Sequence, residues 1–169
     1  MSPKDTKKDI NTISMLVANK PGVLVRVALV FAKRGYNIDS LVVSPAVNQK
    51  FSRMTITASG DPEILEQIIK QTNKRVDVIH AFEHTGEDTI DCELALLKVK
   101  YTKPSKPVIS KYAKKYHAKV VDDSDNTLII AQAGPTENLD QLEAVLKKYG
   151  IIEMVRTGKV VMAKGREET

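Results

Sequence analysis

The sequence has a single cysteine, no tryptophan, and only five tyrosines and three phenylalanines among 169 residues. One thiol, Cys92, makes an intrachain disulfide impossible and excludes a cysteine-based zinc site, which suits a reducing compartment. No apolar run is long enough to span a bilayer. The longest, Val23 to Ala32, is interrupted by Arg26 and falls far short of the roughly 20 residues a membrane helix needs. G-x-G-x-x-G, G-x-S-x-G and C-x-x-C are all missing, and Gly158-Lys159-Val160 has neither the upstream glycine nor the hydroxyl residue of a phosphate loop. Residues 1–9 lack the apolar core of a signal peptide and carry two aspartates, so they are expected to form a disordered polar tail of a cytoplasmic protein.

What is present is the composition of a folded chain. Hydrophobic residues make up 42% and charged residues 28%, enough Val, Ile and Leu to build the core of one ordinary domain or two small ones. The net charge of +5 divides as 12 basic against 8 acidic side chains through Gly86, and 14 against 13 from Glu87 onward. Lys4, Lys7 and Lys8 lie in the expected tail, and no basic run is interleaved with aromatics, so no nucleic-acid partner is expected.

The pattern of elements occurs twice. Ile10 to Val17 is rich in β-branched residues, Asn19-Lys20-Pro21-Gly22 punctuates it, and Val23, Leu24, Val27, Ala28, Val30 and Phe31 follow at helical spacing. Pro21 suits a first helical turn, and Gly35 sits where a left-handed C-terminal cap belongs. Tyr36 to Ser44 and Phe51 to Ser59 predict a hairpin, Asp61-Pro62-Glu63 caps a second helix, and Val76 to Phe82 is a fourth strand. The second half repeats the order. Glu93 to Tyr101 is a strand, Pro107 leads into a helix containing Ile109, Tyr112 and Ala113, and a hairpin turns at residues 123–126. Thr136 then caps a fourth helix, and Ile151 to Thr157 is the last main strand, with another possible at Lys159 to Ala163. The expected class is therefore α+β, two ferredoxin-like βαββαβ domains. Their expected limits are 10–86 and 87–165, with a short tail at 166–169.

No catalytic constellation emerges. His80 and His84 are four apart, which on a strand places the rings on one face but roughly 13 Å from each other at ~3.3 Å per residue, too far for one ion. Asp123-Ser124-Asp125-Asn126-Thr127 opens like a calcium loop, but Leu128 stands where glycine is required and Gly134 where the bidentate acid belongs. A hairpin turn accounts for it better. Cys92 reads as a small packing residue.

The segment Asn19-Lys20-Pro21-Gly22-Val23, taken with Gly35-Tyr36-Asn37-Ile38, reads in two ways. It is either a tight turn and a strand start, or an anion site made by free N–H groups at a helix start, with Gly22 admitting a ligand close to the backbone. In a ferredoxin-like sheet the helix between them runs the height of the domain, about 20 Å at 1.5 Å per residue, so Gly22 and Asn37 cannot share a ligand within one chain. The strand from Tyr36 to Ser44 is an edge in that fold. Antiparallel pairing with its copy in a second subunit would carry Asn37 of one chain toward Gly22 of the other.

The strings Ile13-Ser14-Met15-Leu16-Val17-Ala18-Asn19-Lys20-Pro21-Gly22-Val23-Leu24, Arg34-Gly35-Tyr36-Asn37-Ile38-Asp39-Ser40-Leu41 and Ser52-Arg53-Met54-Thr55-Ile56 resemble the ACT domain of the acetohydroxyacid synthase regulatory (small) subunit family. The resemblance continues through Val76-Asp77-Val78, Glu93 to Val99 and Arg156-Thr157-Gly158, and departs at Tyr116-His117-Ala118, where members usually carry Phe-Arg and a small residue. It implies a non-catalytic, homodimeric subunit that binds the catalytic large subunit, activates it and confers feedback inhibition by L-valine or another branched-chain amino acid. Thiamine diphosphate, Mg2+ and FAD would belong to the catalytic chain, leaving no cofactor or metal here. The effector site implied at the dimer interface comprises Asn19, Pro21, Gly22, Val23 and Leu24 of one chain with Asn37 and Ile38 of the other. Two other classes compete. An acylphosphatase-type hydrolase would need a phosphate cradle that Arg26 and Asn37 do not form, and the ACT-domain sensor of a transcriptional regulator would have only Lys111, Lys114 and Lys115 as a DNA-facing surface.

Overall fold

The computed structural model describes residues 10–84, 89–166 and 169. The expected tail at residues 1–9, the middle of the expected join at 85–88 and residues 167–168 lie outside the described residues. In chain order the elements are β1 (Ile10–Ala18), α1 (Val23–Ala32), β2 (Asn37–Pro45), β3 (Phe51–Ser59), α2 (Pro62–Asn73) and β4 (Val78–His84). They continue with β5 (Thr89–Lys100), α3 (Lys106–Lys115), β6 (Lys119–Ser124), β7 (Thr127–Gly134), α4 (Thr136–Leu146), β8 (Ile151–Arg156) and β9 (Val160–Ala163). The sheets are antiparallel, with strand orders β2-β3-β1-β4 and β6-β7-β5-β8. The fold is the α+β pair of βαββαβ units that the sequence predicts.

The chain divides into one unit running through Ile90 and taking back Lys159–Thr169, and a second covering Asp91–Gly158. Gly158 adopts a left-handed φ of 82°, and the returning segment is tied to the first unit. The His80 Nε2 atom lies 3.1 Å from the Thr169 carbonyl oxygen, while within the segment itself the Ala163 N–H donates to the Thr169 hydroxyl at 2.7 Å.

In the first unit, alternation along β1 turns Ile13, Met15 and Val17 to one side, where they pack with Phe31, Met54, Ile56, Leu65 and Ile68, all essentially buried. The start of α2 follows its sequence signature, with the Asp61 carboxylate accepting the Glu63 N–H at 2.8 Å ahead of Pro62. In the second unit Leu97, Val99, Ile109, Leu128, Ile130, Leu139 and Leu142 form a separate core. The β6–β7 turn places Asp125 and Asn126 at φ of 51° and 59°, the left-handed pair that a two-residue hairpin requires.

Two helix starts differ from expectation. Helix α1 begins at Val23, so Pro21 belongs to the preceding turn and not to the first helical turn. Helix α4 begins at Thr136 behind Pro135, and the Thr136 hydroxyl does not cap it. That hydroxyl instead donates to Glu93 Oε1 at 3.0 Å, because Glu93 is a buried carboxylate that needs donors. Arg156 supplies the main one, its Nη2 lying 2.5 Å from Glu93 Oε2 while Nη1 reaches Asp140 at 2.7 Å. This cluster ties β5, β8 and α4 together. Arg156→Met strands the Glu93 charge and is expected to cost about 3 kcal/mol, seen as a lower urea midpoint, with a substantial part recovered in the Glu93→Gln/Arg156→Met double variant.

Candidate effector site

The turn that follows β1 is pinned by backbone bonds on both sides. The Ala18 N–H donates to the Asp77 carbonyl at 2.7 Å and the Asn19 N–H to the Lys50 carbonyl at 2.8 Å. The Asn19 side-chain amide donates to the Gln49 carbonyl at 2.9 Å, which leaves its oxygen for another partner. Gly22 occupies the N-cap of α1 at φ +80°, a conformation that disfavours any residue with a Cβ. Its backbone carbonyl accepts the Arg26 N–H at 3.1 Å, and the Val23 N–H turns back to Lys20 at 3.4 Å.

The N–H groups of Leu24 and Val25 are then in the first helical turn without helical acceptors. Helix α1 has no side-chain cap and no acidic residue in that turn, so the positive end of its dipole is uncompensated. A carboxylate is the chemical complement of this arrangement. A Cβ built on Gly22 would lie 2.9 Å from Arg26 Nη1, so the guanidinium packs directly over the glycine. Arg26 is in turn held by Asp77 through both Nε and Nη2 at 2.9 Å. This support was not foreseen from the sequence, where the only signal is one arginine inside an otherwise apolar helical run.

Asn37 opens β2 and is exposed, its amide donating to Asp39 Oδ1 at 3.2 Å. Asp39 also accepts the Ser59 hydroxyl. Ile38 is half-buried against the core and Leu24 is 42% exposed. Val23 differs from expectation as a ligand neighbour: it is only 3% exposed because its side chain belongs to the core, so it reaches the turn with its backbone alone.

The register fixes how far apart these residues are. Ala18 pairs with Phe51 at one end of β3, and Asn37 pairs with Ser59 at the other. Eight residue steps at ~3.3 Å separate them by about 26 Å. The structure brings Asn19, Pro21, Gly22, Val23 and Leu24 together at one end of the sheet and places Asn37 with Ile38 at the opposite end. The two groups form no common pocket within the chain.

A βαββαβ sheet with a Pro-Gly turn leading into its first helix defines an ACT-type regulatory domain. The AHAS small subunit-like ACT domain matches residues 13–80, and the small subunit of acetolactate synthase family matches residues 92–165. The chain is 39% identical over 158 residues to the probable acetolactate synthase small subunit of Archaeoglobus fulgidus, covering 94% of this chain and 99% of that one. It is 41% identical over 155 residues to the acetolactate synthase small subunit of Mycolicibacterium smegmatis, covering 92% and 91%. The crystal structure of the acetolactate synthase small subunit from Thermotoga maritima superposes with a TM-score of 0.84 at 33% identity, covering 94% of this chain and 99% of that one. The chain belongs to the acetolactate synthase small-subunit family, the regulatory and non-catalytic subunits of an enzyme whose catalytic subunit is a separate chain.

Among the described residues no group of three or more His, Cys, Asp or Glu side chains is arranged to hold a metal ion, and no helix is long and apolar enough to cross a membrane. The histidines on β4 are otherwise engaged: His80 stacks on Phe82, and His84 Nε2 lies 2.5 Å from the hydroxyl of buried Ser14. Burial pushes the His84 imidazole below its ordinary value, so the neutral ring is the folded form. The stability it contributes is intact above the unfolded value of about 6.5 and is lost as pH falls through the lower folded value. Thermal midpoints are therefore expected to fall between pH 7.5 and 5, and to fall less in His84→Gln.

Proposed function

We propose that this chain activates its catalytic subunit and makes it sensitive to feedback by L-valine, bound between two ACT domains of a homodimer. The observation that carries the reading is the placement of Asn37 and the Gly22 turn at opposite ends of a sheet whose edge is β2. Two β2 edges paired antiparallel across a two-fold axis bring each Asn37 toward the partner's turn and give two sites per dimer. Helix α1 supports the same assembly. Val23, Val27, Val30 and Phe31 fill its own core, yet Leu24, Val25 and Leu29 remain 42%, 59% and 48% exposed. A helix apolar around most of its circumference is one that a further surface covers.

In this reading the valine carboxylate meets the free N–H groups after Gly22, and Asn19 and the partner's Asn37 orient the carboxylate and ammonium groups. Leu24 and Ile38 flank the isopropyl group. Inhibition follows if valine binds the less active arrangement of the two subunits more tightly, and linkage then requires the active complex to weaken valine binding by the same factor. Such a chain works with its partner inside the cell, so the reading includes a cytoplasmic location.

Calorimetry of the full chain is expected to show saturable binding of L-valine near one per chain, lost in Asn37→Ala and absent with D-valine or L-lysine. Titration with the same affinity in Asn37→Ala would remove that residue from the site. In the reconstituted holoenzyme, Gly22→Asp is expected to leave activation in place and abolish inhibition by saturating valine, because it adds a carboxylate beside the N–H groups that take the ligand's own, and its Cβ displaces the Arg26 guanidinium packed over the turn.

A further inference from the structure

A concave feature of the first unit lies outside the effector turn. It is a cleft of about 140 Å3 between the two helices, lined by Arg26, Leu29 and Val30 of α1, Lys33 just beyond α1, Gln71 of α2, and Arg75 just beyond α2. Three of these six side chains are cations and none is acidic. Asp77 engages Arg26, but among the described residues no carboxylate pairs with Lys33 or Arg75. Arg34, next in sequence to Lys33, donates from Nη1 to Gln67 of α2 at 3.0 Å, and its buried Nε has no hydrogen-bond partner. Cations gathered around one small cleft repel each other, and the low-dielectric wall formed by Leu29 and Val30 reduces the screening by water.

We propose that this cleft is a binding site for a small tetrahedral oxyanion, with inorganic phosphate as its simplest member. The Arg75 guanidinium supplies a planar fork of N–H donors, Lys33 supplies a mobile point charge, and the Gln71 amide supplies two further donors. Arg26 adds charge while remaining fixed to Asp77. The site does not rest on the valine reading, because oxyanion binding is measured directly and without valine. Arg26 nevertheless touches both the cleft and Gly22, so an oxyanion held there lies one side chain away from the effector turn.

The test is a two-dimensional amide NMR titration of the full chain with sodium phosphate, ionic strength being held constant with sodium chloride. Saturable shifts centred on Arg26, Lys33, Gln71 and Arg75 are expected. The double variant Lys33→Gln/Arg75→Gln should weaken the apparent affinity by about tenfold or more, the scale of losing charged hydrogen bonds, with the rest of the spectrum unchanged. Shifts that grow linearly without saturation, or an affinity unchanged in the double variant, would overturn the proposal.

Discussion

The pairing of β3 with both of its neighbours constrains everything else in the first unit. Its nine residues run from the partner of Ala18 to the partner of Asn37, and no side-chain motion closes a gap of about 26 Å. The residues suited to recognising an amino acid are therefore divided within the chain, although each half is well formed. At one end is a helix start with unopposed N–H groups, and at the other an exposed amide on an edge strand. In the proposed reading this division makes the site an interfacial one, so that regulation becomes a matter of how two subunits are placed. A ligand that touches both ends of such an arrangement is sensitive to quaternary structure by construction.

The local chemistry of the turn depends on contacts distant in sequence. Gly22 can hold φ +80° at little cost, but its position comes from the strand end at Ala18, the hairpin carbonyls at Gln49 and Lys50, and the Arg26–Asp77 pair. Arg26 lies beside the glycine and also lines the cleft between the helices. A turn anchored in this way is preorganised, so little ordering is left for the ligand to impose. The second unit has a comparable centre in Glu93 and Arg156, whose role is to hold strands and a helix together.

The features legible in the sequence were those governed by local physics. Asp61-Pro62-Glu63 marks a helix start, Asp125-Asn126 a tight hairpin and Gly35 a left-handed cap, because each depends on backbone preferences within a few residues. The repeat of apolar periodicities was enough to define the two βαββαβ units. What escaped was set by distant partners. Thr136 resembles a cap but serves a buried carboxylate 43 residues away, and Val23 resembles a ligand neighbour but is taken by the core. The contact of His80 with Thr169 joins residues 89 apart, which no local pattern encodes. The edge position of β2 was legible once the fold was assumed, and with it the division of the site.

The interfacial site can be tested by mixing two defective chains. In a heterodimer of Asn37→Ala with Gly22→Asp, one site draws its turn from the first chain and its asparagine from the second, so it is intact, while the other site carries both lesions. The purified heterodimer, isolated with two affinity tags, is predicted to bind one L-valine with the affinity of the unaltered protein, while each mutant homodimer binds none. A heterodimer as silent as its parents would contradict the account, since it would mean that each site is built within a single chain or requires both turns at once.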